Sequence, residues 1–429
     1  LENEEKKAGA AFPVSYENRL EAKTAIKREL YGLLSARTGK TLPWGTLTGI
    51  RPTKIALSRL DQGVPEEEIR EFMEKTYLTS REKIDLSLEI AEREKELLSH
   101  IDYENGYSLY VGIPFCPTTC LYCSFTSYPI GAWEKKMDQY LAALFKELDY
   151  VAETMKGRTL DTVYFGGGTP TALKAEELDA ILTRIGERFD LSSVKEFTVE
   201  AGRPDSITED KLKTLRAHGI SRISINPQTL EDHVLRAIGR KHAAGDIRAA
   251  NDLARSVGFD CINMDLIAGL PQDSCEGFRR SLEGVLEMEP ENVTIHTLAL
   301  KKGSTLMERG GSLPSGAEVA EMLDFSREIL IRRGYRPYYL YRQKYMSGAL
   351  ENVGWAKPGT ENLYNIIMME ELQTVVSVGG GGVTKLVDYA AGRIVRLPNP
   401  KYPHDYLTSL KKVLAQKEEL IRFYGSELP

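Results

Sequence analysis

The sequence predicts an α/β protein: an incomplete (βα)6 barrel preceded by a small, mostly helical N-terminal domain and followed by a mixed C-terminal accessory region over the barrel mouth. Three observations carry this. Short β-rich runs alternate with amphipathic helical stretches from Tyr107 to about Leu300, the rhythm of parallel βα units. The 429 residues are too many for one ordinary core but suit a large domain of about 250 residues with smaller neighbours. Finally, the motifs rich in Cys, Gly and acidic residues fall at or just after the ends of the predicted strands, where βα loops converge in such folds.

In chain order, residues 1–105 are rich in Glu, Lys and Leu and show helical periodicity over 18–36 and 66–98. Between these stretches Leu42-Pro-Trp-Gly-Thr-Leu-Thr-Gly-Ile-Arg-Pro-Thr-Lys54 is broken by glycines and prolines and reads as an ordered loop. Residues 106–300 form the barrel, with strands expected at 108–113, 161–165, 196–200, 222–226, 261–267 and 293–298 and helices including 133–155, 175–189 and 246–257. Residues 301–429 are mixed: helices at 316–333 and 402–424 surround the run 335–342 and the glycines Gly379–Gly382, and the region is expected to act as a lid.

With 56 basic and 62 acidic residues the net charge is −6. No basic tail or stripe stands out, so charge gives no argument for nucleic acid and points to a small-molecule partner. No run approaches the roughly 18 apolar residues of a membrane span, and residues 1–10 are charged and lack the apolar stretch of a secretory signal. The expected location is the cytoplasm. Five cysteines, three of them within eight residues, do not space like an extracellular disulfide framework.

The sharpest motif is Cys116-Pro-Thr-Thr-Cys120-Leu-Tyr-Cys123, directly after the first predicted strand. Such a C-x3-C-x2-C loop can wrap three thiolates around one corner of an iron–sulfur cube. Ordinary [4Fe–4S] clusters take four cysteines; three leave one iron open to a substrate. A structural zinc site would add a fourth Cys or His nearby, yet no histidine lies between His100 and His218. Cys261 and Cys275 sit in later units and read as packing residues. The second motif, Tyr164-Phe-Gly-Gly-Gly-Thr-Pro170, ends the second strand with backbone that a ligand can approach closely. A third group, Glu200, Gln228, Arg240 and Asp265, lies at successive strand ends or in the loops that follow. Asp265, flanked by apolar residues, needs a donor partner in a partly desolvated place.

C-x3-C-x-aromatic-C after the first strand of a barrel resembles the radical S-adenosylmethionine superfamily, which makes the expected fold a partial radical-SAM barrel. The resemblance implies a [4Fe–4S] cluster on Cys116, Cys120 and Cys123, whose open iron chelates the methionyl amino and carboxylate groups of S-adenosylmethionine. One electron from the cluster then cleaves the sulfonium to methionine and a 5′-deoxyadenosyl radical. The string Tyr110-Val-Gly-Ile-Pro-Phe-Cys116, with 164–170, the Glu200 strand, Asn226-Pro-Gln228 and Asp265-Leu-Ile-Ala-Gly-Leu-Pro271, is similar to the oxygen-independent coproporphyrinogen III oxidases (coproporphyrinogen dehydrogenases) over 107–300. Trp44–Lys54, Tyr341-Arg-Gln-Lys and the 351–358 segment resemble the family's longer branch, which carries an extra N-terminal domain.

Carried over residue by residue, this resemblance places Tyr110, Tyr122, Gly167, Gly168, Thr169, Glu200, Gln228, Arg240, Asp265 and Ala299 in contact with S-adenosylmethionine, some with a second molecule beside the first. Tyr110, Glu200 and Asp265 are the implied catalytic positions. The chain departs from the family at Gly112, where a histidine is usual, and at Cys123-Ser-Phe, where the best-known branch has a fourth cysteine two residues on. The glycine run with Val-Thr-Lys385 reads equally as a segment closing over the adenosyl group or as a flexible loop. The implied reaction belongs to porphyrin and haem biosynthesis: two propionates of coproporphyrinogen III become vinyl groups, giving protoporphyrinogen IX, with a one-electron donor such as flavodoxin or ferredoxin. Arg51, Lys54, Arg342 and Lys344 are candidates for holding the tetracarboxylate tetrapyrrole. The alternatives are a radical haem methyltransferase that opens the ring and a non-catalytic haem-binding chaperone.

Overall fold

The computed structural model describes residues 2–3, 6–7, 11–13, 17–49, 51–300, 304–306 and 312–425. Most of 1–10, read above as lacking an export signal, and Ile50 of the Trp44–Lys54 segment lie outside the described residues. The N-terminal region holds α1 (Arg19–Thr38), α2 (Thr53–Asp61), α3 (Glu66–Tyr77) and α4 (Arg81–Leu98). The single helical stretch expected over 66–98 is two helices. Leu78 turns left-handed with φ 57° and Ser80 caps α4 by accepting the Lys83 N–H, ending one helix and starting the next. Ala56, Leu57, Ile69, Met73, Ile84, Leu88 and Ala91 make a small core between α2, α3 and α4.

The six expected strands are all present: β1 (Gly106–Ile113), β2 (Thr159–Gly167), β3 (Glu196–Gly202), β4 (Arg222–Ile225), β5 (Ile262–Ala268) and β6 (Asn292–Thr297). They pair in chain order and all in parallel. Both faces are covered, so β1 is buried at seven of its eight residues and reads as an apolar run rather than an alternation. Between the strands run α5 (Met137–Thr154), α6 (Ala175–Arg188), α7 (Glu209–Ala217), α8 (Asp232–Ala237), α9 (Ala244–Val257) and α10 (Cys275–Glu287). In α6 the buried residues Leu178, Ile181, Leu182 and Ile185 recur at helical spacing, forming the stripe that packs on the sheet.

The C-terminal region does not simply lie over the mouth. It adds α11 (Gly316–Arg332), β7 (Arg336–Tyr341), β8 (Asn352–Ala356), α12 (Leu363–Glu370), β9 (Thr374–Gly379), β10 (Val383–Asp388), β11 (Arg393–Pro398), α13 (Pro403–Thr408) and α14 (Leu410–Tyr424). The sheet runs β7-β8-β6-β5-β4-β3-β2-β1-β9-β10-β11. β8 pairs antiparallel with β6, and β9 pairs parallel with β1 from Thr374↔Tyr107 to Gly379↔Gly112. Part of the expected lid therefore extends the sheet at both ends, because β1 and β6 would otherwise expose unpaired edges.

A buried network secures β9. Glu147 on α5 accepts from the Gly379 N–H at 2.9 Å, the Tyr406 hydroxyl at 2.7 Å and Asn399 Nδ2 at 2.8 Å, and it faces Lys417 Nζ at 3.4 Å. The N-terminal domain is fastened through Glu351, which accepts from Trp44 Nε1 at 2.7 Å and pairs with Lys83 Nζ at 2.7 Å, all three side chains being buried.

Candidate functional site

The cysteine loop leaves the end of β1 and is held from behind by the glycine triplet at the end of β2. Gly168 donates its N–H to Ile113 O at 2.8 Å and Thr169 donates to Phe115 O at 2.7 Å. A Cβ on Gly168 would lie 2.4 Å from that same Phe115 oxygen, so the backbones meet at a distance only glycine allows. Thr169 Oγ1 donates to Cys116 Sγ at 3.4 Å. The triplet thus serves the fold of the cysteine loop as well as leaving Gly167 and Gly168 open to the cavity.

Above the strand ends lies a cavity of about 370 Å3. Its walls bring together Cys116, Cys120 and Cys123 with Tyr110, Tyr122, Gly167, Gly168, Thr169, Glu200, Gln228, Arg240, Asp265 and Ala299, positions scattered over nearly 190 residues of chain. Tyr110 and Tyr164 line it and stack with each other and with Tyr364, the Tyr164 and Tyr364 ring centres being 4.3 Å apart, an arrangement worth about 0.5–1.5 kcal/mol per pair beyond burial. The Tyr164 hydroxyl donates to Glu200 Oε1 at 2.6 Å.

The two carboxyl groups of the cavity are pushed in opposite directions. Burial raises Glu200 to about 7, with the Asp265 charge adding to it and Tyr164, His296 and the Gly167 N–H opposing. Burial would also raise Asp265, but the hydrogen bond and charge of His296, together with Asn263 and Thr294, outweigh it and leave that carboxyl below its ordinary value. Asn263 Nδ2 stands 2.8 Å from Asp265 Oδ1 and His296 Nε2 stands 3.5 Å from Oδ2. Asp265 therefore has the donor partners its apolar flanks demanded.

Whether the walls fit a cluster and a nucleotide is answered by their unused groups. Gln228 has φ 70°, a left-handed conformation that costs a non-glycine residue on the order of 1 kcal/mol. It is held there because its N–H donates to Asp265 O at 2.8 Å and its carbonyl accepts from Ile267 N–H at 3.0 Å. Among the described residues Gln228 Oε1, Asn226 Oδ1 and Arg240 Nε are buried without a hydrogen-bond partner. Such atoms each cost about 1–3 kcal/mol, and a polar ligand would relieve them. Burial pushes the Cys116 thiol up to about 11 against the Thr169 hydrogen bond, so a thiolate here needs a compensating positive charge. Each cysteine of a cubane serves a different iron, so three sulfurs need not meet at one point as zinc ligands do. Among the described residues no group of three His, Cys, Asp or Glu side chains meets in that way. The residues present fit a [4Fe–4S] cluster beside a nucleotide.

Arg51 pairs with Glu371 at 2.7 Å and Met369 O at 3.1 Å, and Arg342 with Leu47 O at 2.6 Å and Ala349 O at 2.8 Å. Both tie the N-terminal region to the rest of the chain, and neither they nor Lys54 and Lys344 line the cavity. The glycine run is neither cover nor flexible loop. Gly380 donates to the Tyr140 hydroxyl at 3.0 Å, Gly381 to Pro400 O at 2.8 Å, and Gly382 O accepts from the Asn399 N–H at 2.8 Å. The run packs behind the cysteine loop, where a Cβ on Gly381 would touch Thr126 at 2.9 Å. At Gly112, a Cβ would meet Gly380 O at 3.1 Å and Tyr110 Cε1 and Val378 O at 3.3 Å, a tight fit for any side chain. Sequence reasoning missed His296, Asn263, Arg203, Tyr341 and the α12 residues Asn365 and Met369 as lining groups. His296 carried a signal, standing near the end of the sixth predicted strand.

A family model described as the radical SAM superfamily matches residues 110–283. An oxygen-independent coproporphyrinogen-III oxidase-like protein, HemZ, of Bacillus subtilis is 41% identical over 392 residues, 90% of this chain and 78% of its own. A haem chaperone, HemW, of Lactococcus lactis is 30% identical, covering 73% of this chain and 77% of its own. Among solved structures, the coproporphyrinogen III oxidase HemN from Escherichia coli superposes with a TM-score of 0.60 at 25% identity, over 72% of this chain and 70% of that one. The superfamily works with a [4Fe–4S] cluster and S-adenosylmethionine, and the fold is its partial barrel. The chain belongs to the radical SAM superfamily, within the family that includes HemN, HemZ and HemW.

Proposed function

We infer that the chain catalyses the oxygen-independent oxidative decarboxylation of coproporphyrinogen III to protoporphyrinogen IX. The observation that supports this reading most is the cavity itself. Thiols, glycines and two oppositely poised carboxyls converge on one space of about 370 Å3, the size that encloses a single drug-sized ligand. It suits one nucleotide and leaves a tetrapyrrole at the mouth, where only a propionate arm reaches in. When bound, the cluster and S-adenosylmethionine would supply the 5′-deoxyadenosyl radical that takes a β-hydrogen from such an arm, after which loss of CO2 and of one electron to a one-electron acceptor leaves the vinyl group.

The chain's own residues bind, orient and exclude water. Cys116, Cys120 and Cys123 would hold the cluster, with Thr169 donating to Cys116 Sγ. Glu200, kept in place by the Tyr164 hydroxyl, and the ionised Asp265 present negative charge to a cationic nucleotide. Gln228 offers its unpartnered Oε1. Arg240 donates to Asn226 O at 2.6 Å and to the Tyr122 hydroxyl at 3.2 Å, fixing the loop side chain next to Cys123. The electron comes from a small donor such as flavodoxin or ferredoxin.

The likeness to haem chaperones supports a second reading, in which haem is bound and passed on without turnover. Anaerobic incubation with each tetrapyrrole separates the two. Coproporphyrinogen III should give a monovinyl intermediate and protoporphyrinogen IX with two 5′-deoxyadenosines for each finished product, and haem should return unaltered. Tight haem binding with no vinyl product would establish the chaperone reading instead.

A further inference from the structure

β3 does not end smoothly. Its register against β4 shifts between Glu200 and Gly202, and Gly202 takes φ 58°. An extra residue of this kind bends a strand and re-aims the side chain that follows. That side chain is Arg203, 3% exposed and outside every motif singled out in the sequence. Its Nη1 donates to Thr118 O at 2.9 Å and Thr118 Oγ1 at 2.8 Å and reaches Cys120 Sγ at 3.9 Å. The other edge of the guanidinium is gripped by Asp205, Nε to Oδ1 at 2.9 Å and Nη2 to Oδ2 at 2.5 Å.

We propose that Arg203 is a positioning residue that tunes the cluster: it fixes the turn between Cys116 and Cys120 through Thr118 and holds a positive charge against the Cys120 sulfur, raising the cluster's reduction potential. Reduction adds one electron, supplied by a low-potential donor, and hence one unit of negative charge to the cluster. A buried cation hydrogen-bonded toward a ligating sulfur stabilises the reduced form more than the oxidised one. Hydrogen bonds to the sulfurs and local net charge are established controls of such potentials, and salt screens a buried charge little. Asp205 sits on the far side of the guanidinium, where it aims the fork and offsets part of its charge. The two residues should therefore move the potential in opposite directions.

The test is an EPR-monitored redox titration of anaerobically reconstituted full chain, as wild type, Arg203→Gln and Asp205→Asn, with iron content measured on the same samples. Arg203→Gln should shift the midpoint to more negative potential by about 59 mV or more, a tenfold fall in the reduced-to-oxidised ratio for a one-electron couple. Asp205→Asn should shift it to more positive potential at unchanged iron content. A residue that merely braced the loop would lose iron in both variants or move both midpoints the same way. A wild-type midpoint in Arg203→Gln, or shifts of one sign in both, overturns the proposal. If Arg203→Gln loads no iron, Asp205→Asn decides: a positive shift supports the proposal, and an unchanged or more negative midpoint rejects it. The proposal rests on the three cysteines holding the cluster, an assignment whose own failure would show separately as iron retained after their replacement.

Discussion

Replacing Glu200 by Gln tests the proposed nucleotide site where its electrostatics are most distinctive. The carboxyl is held by the Tyr164 hydroxyl at 2.6 Å, and burial raises it to about 7. A cationic nucleotide bound beside it lowers that value again. Binding therefore uses an ionised carboxylate above pH 7 and must expel a proton below it. The sign follows: wild-type affinity for S-adenosylmethionine should climb by up to about tenfold per pH unit just below 7 and level off above. Gln keeps the shape and a carbonyl to accept from Tyr164, but it carries no charge. Loss of a hydrogen bond to a charged group is worth about 1.5–3 kcal/mol, or roughly one to two decades of affinity at about pH 8. Equilibrium binding measured anaerobically from pH 6 to 8.5 reads both effects. Wild-type affinity in Glu200→Gln at about pH 8, or an unchanged pH slope, would show that the carboxylate is no nucleotide ligand.

Three further outcomes are expected. Cys116→Ala, Cys120→Ala and Cys123→Ala should each abolish the roughly four irons per chain of one cluster, whereas Cys261→Ser and Cys275→Ser should keep them by iron and sulfide assay, since those sulfurs face Asn292 and Glu318 instead. Lys83→Met strips Glu351 of its buried cation and should cost about 3–5 kcal/mol in denaturant unfolding of the N-terminal domain. Gly379→Ala, at φ 85° and with a Cβ position 2.2 Å from Gly112 O, should separate β9 from β1 and lower the thermal midpoint, with cluster loss following.

The barrel and the cluster loop were legible because their signals are local. Strand and helix alternate within about 30 residues per unit, and the three cysteines lie within eight residues. The distant pairings were not. β9 belongs beside β1, but Thr374 and its partner Tyr107 are 267 residues apart, and nothing in a strand's own composition names its neighbour. The glycine run could be read as a closing segment or as a flexible loop because glycines alone carry no trace of Glu147, Tyr140 and Asn399, which hold it. The partners of Arg51 and Arg342 were not legible, because a carbonyl or carboxylate that claims a guanidinium can come from any part of the chain. The apolar flanks of Asp265 pointed to a need for a donor partner, while that partner, His296, comes from the adjacent strand and became visible only through the register of β5 and β6.

The proposed reaction stands or falls on where the hydrogen comes from. Coproporphyrinogen III deuterated at the propionate β-carbons, incubated anaerobically with the reconstituted chain, a one-electron reductant and excess S-adenosylmethionine, should pass its label into 5′-deoxyadenosine in step with vinyl formation. Unlabelled 5′-deoxyadenosine accompanied by no vinyl product, with haem bound tightly and unchanged, would contradict the account and leave the chain a haem carrier.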